Sequence, residues 1–119
     1  MACYAEKKIN FPCIEQGVSW VQSLTLRDEN QALINLTGAT AKMQFRQDLA
    51  GSALISLTSA SGITLGGALG TITITVDKAV TAALEANALI FDFFITWSTG
   101  EVERLFYGQV SIDKRVTRD

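Results

Sequence analysis

The run Gly66-Gly67-Ala68-Leu69-Gly70-Thr71-Ile72-Thr73-Ile74-Thr75-Val76-Asp77 constrains the fold more than any other stretch of the chain. A glycine-rich turn leads into six residues of strict alternation. Side chains alternate across a strand with period 2, so Ile72, Ile74 and Val76 face one way and Thr71, Thr73 and Thr75 the other. β-Branched residues suit a pleated, half-buried surface. A one-residue slip would turn every apolar side chain outward, so the register of this strand is well specified.

The same grammar extends along the chain. Ala5–Phe11 reads as a polar edge strand stopped by Pro12, and paired lysines followed by proline discourage further strand addition. An arm reaching a neighbouring subunit is the functional alternative. Val18, Trp20, Leu24 and Leu26 share one parity. Asp28-Glu29-Asn30-Gln31 and Thr37-Gly38 are turns around a short segment, Ala32–Leu36. Ala39, Ala41, Met43 and Phe45 face in, while Thr40, Lys42, Gln44 and Arg46 face out as a solvated face, with a binding stripe of Lys42 and Arg46 as the functional alternative. Ser52–Thr58 is a strand. Asp77 can cap a short helix through Lys78–Glu85. Leu89, Phe91, Phe93, Ile95 and Trp97 form one face of the most apolar strand, whose other face is mixed (Ile90, Asp92, Phe94, Thr96). Ser98–Glu101 turns it into a closing partner, Val102–Ile112.

About seven or eight strands with regular turn signals predict an all-β fold: one antiparallel β-sandwich, with one short helix before the last hairpin. The expected division is an N-terminal edge strand or arm over residues 1–16 and a sandwich domain over 17–119. The expected core is Trp20, Leu24, Leu26, Met43, Phe45, Leu57, Ile72, Ile74, Phe91, Phe93, Ile95, Phe106 and Val110.

Composition narrows the function classes. The chain has 119 residues, 48% hydrophobic and 18% charged, with net charge −2. That is globular rather than disordered, and it argues against a broad nucleic-acid footprint. No apolar run approaches the ~18 residues of a membrane span, and Met1–Lys8 has no hydrophobic signal segment. The expectation is a protein made in a cytosol, with Cys3 and Cys13 reduced; a disulfide between them stays open. With no histidine and two cysteines, neither a histidine-based nucleophile nor a four-ligand zinc site can be assembled. Glu101 and Glu103 share a strand face beside Arg104, a spacing common on solvated ribbons. The Gly66–Gly70 loop lacks the Lys-Ser/Thr of a phosphate loop and precedes a strand rather than a helix. No enzyme activity, catalytic residue, metal, cofactor or small-molecule substrate is expected.

Several blocks resemble a known family. Leu36-Thr37-Gly38-Ala39-Thr40-Ala41-Lys42-Met43-Gln44-Phe45-Arg46, Gly62–Gly67 with Gly70–Ile74, the helix Val80–Leu84, and Gly100–Val110 are similar in order and pattern to small tailed-phage and prophage virion proteins. The likeness spans about residues 18–118. Ala39 stands where that family usually has an aromatic, and the N-terminal stretch lies outside the pattern. The resemblance implies an Ig-like sandwich similar to the N-terminal domain of baseplate upper proteins. It also implies a bacteriophage structural protein at the tail, baseplate or fibre junction, located in the virion and assembled in the bacterial host cytoplasm. Its partners would be other virion proteins and further copies of itself, with no nucleic acid or membrane. A capsid decoration protein is one alternative. A carbohydrate-binding attachment module using Trp97 as an exposed platform is another. Interface candidates are Tyr4, Lys7, Ile9 and Phe11 in the arm and Phe94, Leu105 and Tyr107 on the outward side of the hairpin, where exposed apolar groups would mark contacts.

Overall fold

The computed structural model describes residues 8–28 and 30–116. Among them run nine strands: β1 (Lys8–Asn10), β2 (Ile14–Glu15), β3 (Trp20–Thr25), β4 (Thr40–Arg46), β5 (Ala53–Thr58), β6 (Ile63–Leu65), β7 (Thr71–Val76), β8 (Ala88–Thr96) and β9 (Val102–Asp113). A single helix, α1 (Lys78–Ala82), separates β7 from β8. The larger sheet has the order β1-β9-β8-β4-β5, with β2 also paired to β9; the smaller has the order β3-β7-β6. The all-β sandwich with one short helix before the last hairpin is therefore the observed architecture.

The alternation of Thr71–Val76 does what its pattern demands. Ile72, Ile74 and Val76 are buried, and β7 is the central strand of the smaller sheet, paired antiparallel on both sides. The preceding glycine run folds as a 3₁₀ turn, Gly67–Leu69, closed by Gly70 at φ 68°. A β-carbon on Gly70 would lie 2.8 Å from the carbonyl oxygen of Ile34 and 2.9 Å from that of Leu26. Both the left-handed backbone and the close approach of other main chain call for glycine here.

The two sheets bury their facing sides in one core. Met43 and Phe45 of β4, Ile55 and Leu57 of β5, and Leu89, Phe91, Phe93 and Ile95 of β8 pack in the same buried cluster as Trp20, Ile63, Ile72 and Ile74 of the smaller sheet. Its rings are mutually oriented: Phe93 stacks on Phe106 at 4.7 Å between centroids, and Trp20 meets Phe45 edge-on at 5.9 Å. Each such pair contributes about 0.5–1.5 kcal/mol beyond the area it buries. Eleven of the expected core residues are buried, while Leu24 and Leu26 are half-buried and packed against the cluster. Val18 departs from the expected parity. It is exposed, in the turn before β3.

The N-terminal segment differs most from a purely antiparallel sandwich. β1 is an edge strand, as Pro12 suggested, but it and β2 both run parallel to β9. The positions Ala5–Lys7 of the expected strand lie outside the described residues. Ile14 is fully buried. Gln16 is buried too: its Nε2 donates to Leu84 O at 2.8 Å and its Oε1 accepts from Arg115 N at 3.1 Å. Thr81 of α1 accepts from Gly17 N at 3.1 Å and donates to Val18 O at 2.9 Å. The segment is thereby tied to the helix and to the end of β9. α1 starts as predicted, with Asp77 accepting from Ala79 N at 3.1 Å, but it ends at Ala82, before the expected Glu85.

Candidate functional site

The outer face of the larger sheet gathers the polar and aromatic side chains that the core leaves over. Register sets their neighbours. β4 pairs with β8 so that Lys42 opposes Phe94, Gln44 opposes Asp92 and Arg46 opposes Ile90. β8 pairs with β9 so that Phe94 opposes Arg104, Asp92 opposes Tyr107 and Ile90 opposes Gln109. Lys8 of β1 in turn opposes Tyr107. Two rows therefore cross the face: Arg104–Phe94–Lys42 and Lys8–Tyr107–Asp92–Gln44. Directly opposed side chains in such ladders are close enough to interact.

A β-bulge produces the first row. The register shifts between Phe93 and Phe94, because Phe93 opposes Phe106 while Phe94 opposes Arg104. Leu105 is left without a partner on β8, as the extra residue of a bulge is. Arg104 and Tyr107, three apart, consequently both oppose outward-facing residues of β8. The Arg104 guanidinium carbon sits 4.5 Å from the Tyr107 ring centroid, a cation–π distance. Arg46 is held by two bonds, Nη1 to Gly51 O and Nη2 to Gln44 Oε1.

Two adjoining open depressions lie on this face. The larger, about 710 Å³, is bordered by Lys42, Phe94, Thr96 and Val102. The second, about 380 Å³, is bordered by Lys8, Arg104 and Tyr107. Gln44, Arg46 and Asp92 are shared by both. Phe94 is 39% exposed and Val102 64% exposed.

The predicted interface residues separate into distinct places. Phe94 and Tyr107 lie on this face. Leu105 is half-buried and packs against the core. Ile9 and Phe11 are likewise half-buried on the core; the Phe11 ring stacks on Phe91 at 5.3 Å and meets Trp20 edge-on at 5.4 Å. Tyr4 and Lys7 lie outside the described residues. Lys42 and Arg46 were legible as an outward stripe. Arg104 was not legible as their neighbour, since a bulge breaks the period-2 count and leaves no local signature in Arg104-Leu105-Phe106.

Trp97 is half-buried, packs against the core, and donates from Nε1 to Glu103 Oε1 at 3.1 Å. Part of the ring is thus packed on the core rather than presented as an open platform. Cys13 is exposed and free, while Cys3 lies outside the described residues. Among the described residues no group of three or more His, Cys, Asp or Glu could hold a metal ion, and no helix is long and apolar enough to cross a membrane.

No family model matches the chain, and no curated protein does. Among solved structures it is similar to CopC from Methylosinus trichosporium OB3b, at 9% identity and a TM-score of 0.48, over 95% of this chain and 90% of that one. A likeness at that level carries no information about chemistry. The expectation of a tailed-phage virion protein is corrected accordingly: no family model and no curated protein of that kind matches the chain, and the solved structure named above is not one either. The tail, baseplate, capsid-decoration and host-attachment readings rested on that expectation and fall with it. The physical reason lies in the blocks themselves. Leu36–Arg46, Gly62–Ile74 and Gly100–Val110 each couple a turn to a strand, and turn glycines followed by alternating residues are what any sandwich of this kind requires.

Proposed function

We propose that this chain is a non-enzymatic interaction module that engages another protein through the outer face of its larger sheet. The observation that carries the reading is the half-exposed Phe94, set beside exposed Val102 in the larger of the two depressions. The solvent face of an antiparallel sheet is ordinarily polar, and apolar groups clustered on such a face mark contact surfaces. The face is built on paired strands, β4, β8 and β9, rather than on loops, which lowers the cost of ordering it on binding. A sequence with no histidine supports binding rather than general acid–base chemistry.

A photo-crosslinking amino acid at position 94 or 102, with position 21 or 75 on the smaller sheet as control, tests this in cells that make the protein naturally. Discrete adducts from 94 and 102 but not from 21 and 75 are the expected result. Adducts only from the control positions would move the function to the other sheet and overturn the proposal.

A further inference from the structure

β3 ends the smaller sheet, and only one of its sides is used. It pairs with β7 over its whole length, Trp20 to Thr25, without a register shift. On the far side of β7, Thr75 N donates to Gly62 O and Thr71 O accepts from Gly66 N, both at 2.8 Å. Alternate residues of an antiparallel strand turn their main-chain groups to opposite sides. Ile72, Ile74 and Val76 therefore bond to β3, through their partners Leu24, Gln22 and Trp20. Leu26 N, of the same parity, donates to Gly70 O. The N–H and C=O groups of Val21, Ser23 and Thr25 point out of the sheet, and among the described residues no main chain pairs with them.

Proteins guard such edges with charge, proline, bulges or short strands. The other edges of this chain carry such guards. β1 and β6 have three residues each. β5 has a register shift at Phe45 and Arg46 of β4, and its Thr58 N is bonded to Ser61 O. From Gly17 to Leu26, by contrast, there is no charged residue and no proline. β3 presents exposed Val21 on its outer side and half-buried Leu24 on its inner side.

We infer that β3 is a self-association edge, where two copies of the chain pair antiparallel about a two-fold axis at Ser23. The two three-stranded sheets then become one. Ser23 is the middle of the three outward-bonding residues, so this register uses all of them. Ser23 opposes Ser23 of the second copy, and Val21 opposes its Thr25. Each of these pairs exchanges two main-chain bonds, and β-branched and hydroxyl side chains suit the positions. On the inner side, Leu24 meets Gln22 of the second copy. Beyond the strand, Arg27 falls opposite Ser19 and Asp28 opposite Val18, so no two like charges are opposed. A neutral strand gives a foreign segment no charge by which to be selected. Two-fold pairing needs none, and it closes without leaving β3 open to further addition. This edge is separate from the outer face of the larger sheet, and neither reading depends on the other.

Sedimentation equilibrium of the full chain from about 5 µM to about 500 µM is the test, since mass action makes a dimer concentration-dependent. A dimer is the expected result. Ser23→Lys and Ser23→Glu should each raise its dissociation constant about tenfold, and an equimolar mixture of the two should restore it, because opposite charges then face each other across the axis. Ser23 is exposed, so both variants should keep the circular dichroism of the folded chain. Ser56→Lys on the β5 edge should leave the dimer unchanged. Amide exchange at Val21, Ser23 and Thr25 should slow as concentration rises. A monomer throughout the range would overturn the inference. So would a dimer weakened by Ser56→Lys and not by Ser23→Lys, or a mixture that stays monomeric. A self-adduct at twice the chain mass from a crosslinker at position 21 would report this dimer, whereas adducts with another protein test the larger sheet.

Discussion

A β-carbon on Gly108 would collide with the carbonyl oxygen of Ile9 and come within 3.0 Å of Cζ of Phe91. Gly108 opposes Ile9 on one side and Phe91 on the other, so hydrogen is all that the junction of β1, β9 and β8 can accommodate. Backbone cannot move aside as a flexible side chain can. Gly108→Ala should therefore cost about 1–3 kcal/mol, the range for overpacking, measured by urea denaturation. Amide hydrogen exchange at Ile9 and Asn10 should accelerate more than in β4 or β7, because the parallel edge pairing yields first. At this scale the sequence was partly legible. Gly70 read correctly as a turn glycine, whereas nothing around Gly108 shows that a distant main chain lies against it.

Among the elements, the N-terminal segment reads from sequence as an edge strand or arm; β1 is that edge strand, and the residues after it enter the core. Ile14 is fully buried, although its neighbours Cys13 and Glu15 are exposed and no alternation announces it. Truncation to Ile14→Ala should cost about 2–5 kcal/mol, as for other fully buried aliphatic residues, detected as a lowered denaturation midpoint with an unchanged slope. A dispensable arm would give almost no change. The bulge at Leu105 makes a second prediction of this kind. Deleting Leu105 would remove the extra residue and leave β9 in continuous alternation, with Phe106 still facing in and Arg104 still facing out. The deletion variant should therefore keep a cooperative thermal transition by circular dichroism, as should Leu105→Ala; loss of the transition on deletion alone would show that the bulge itself is needed for folding.

For the whole molecule, one continuous cluster joins both sheets. Trp20 of the smaller sheet meets Phe45 of the larger edge-on, so loss of one sheet strips the other of its buried face. Unfolding followed by the fluorescence of buried Trp20 in a Trp97→Phe variant should coincide with unfolding followed by far-ultraviolet circular dichroism. Separated transitions would show that the sheets unfold independently.

Local pattern determined most of the strands and of their inward faces, the start of the Asp77-capped helix and the closing hairpin, but not β2 or the exposure of Val18. Period-2 alternation and turn residues act within a few positions of one another, so they can be read without knowing the fold. Strand order, the parallel docking of β1 and β2 on β9, the burial of Ile14 and the row Arg104–Phe94–Lys42 were decided only by the tertiary structure. Each joins residues distant in sequence through hydrogen-bonded register. Register across strands depends on a bulge and on close main-chain contacts, and these are properties of the assembled sheets rather than of any one segment.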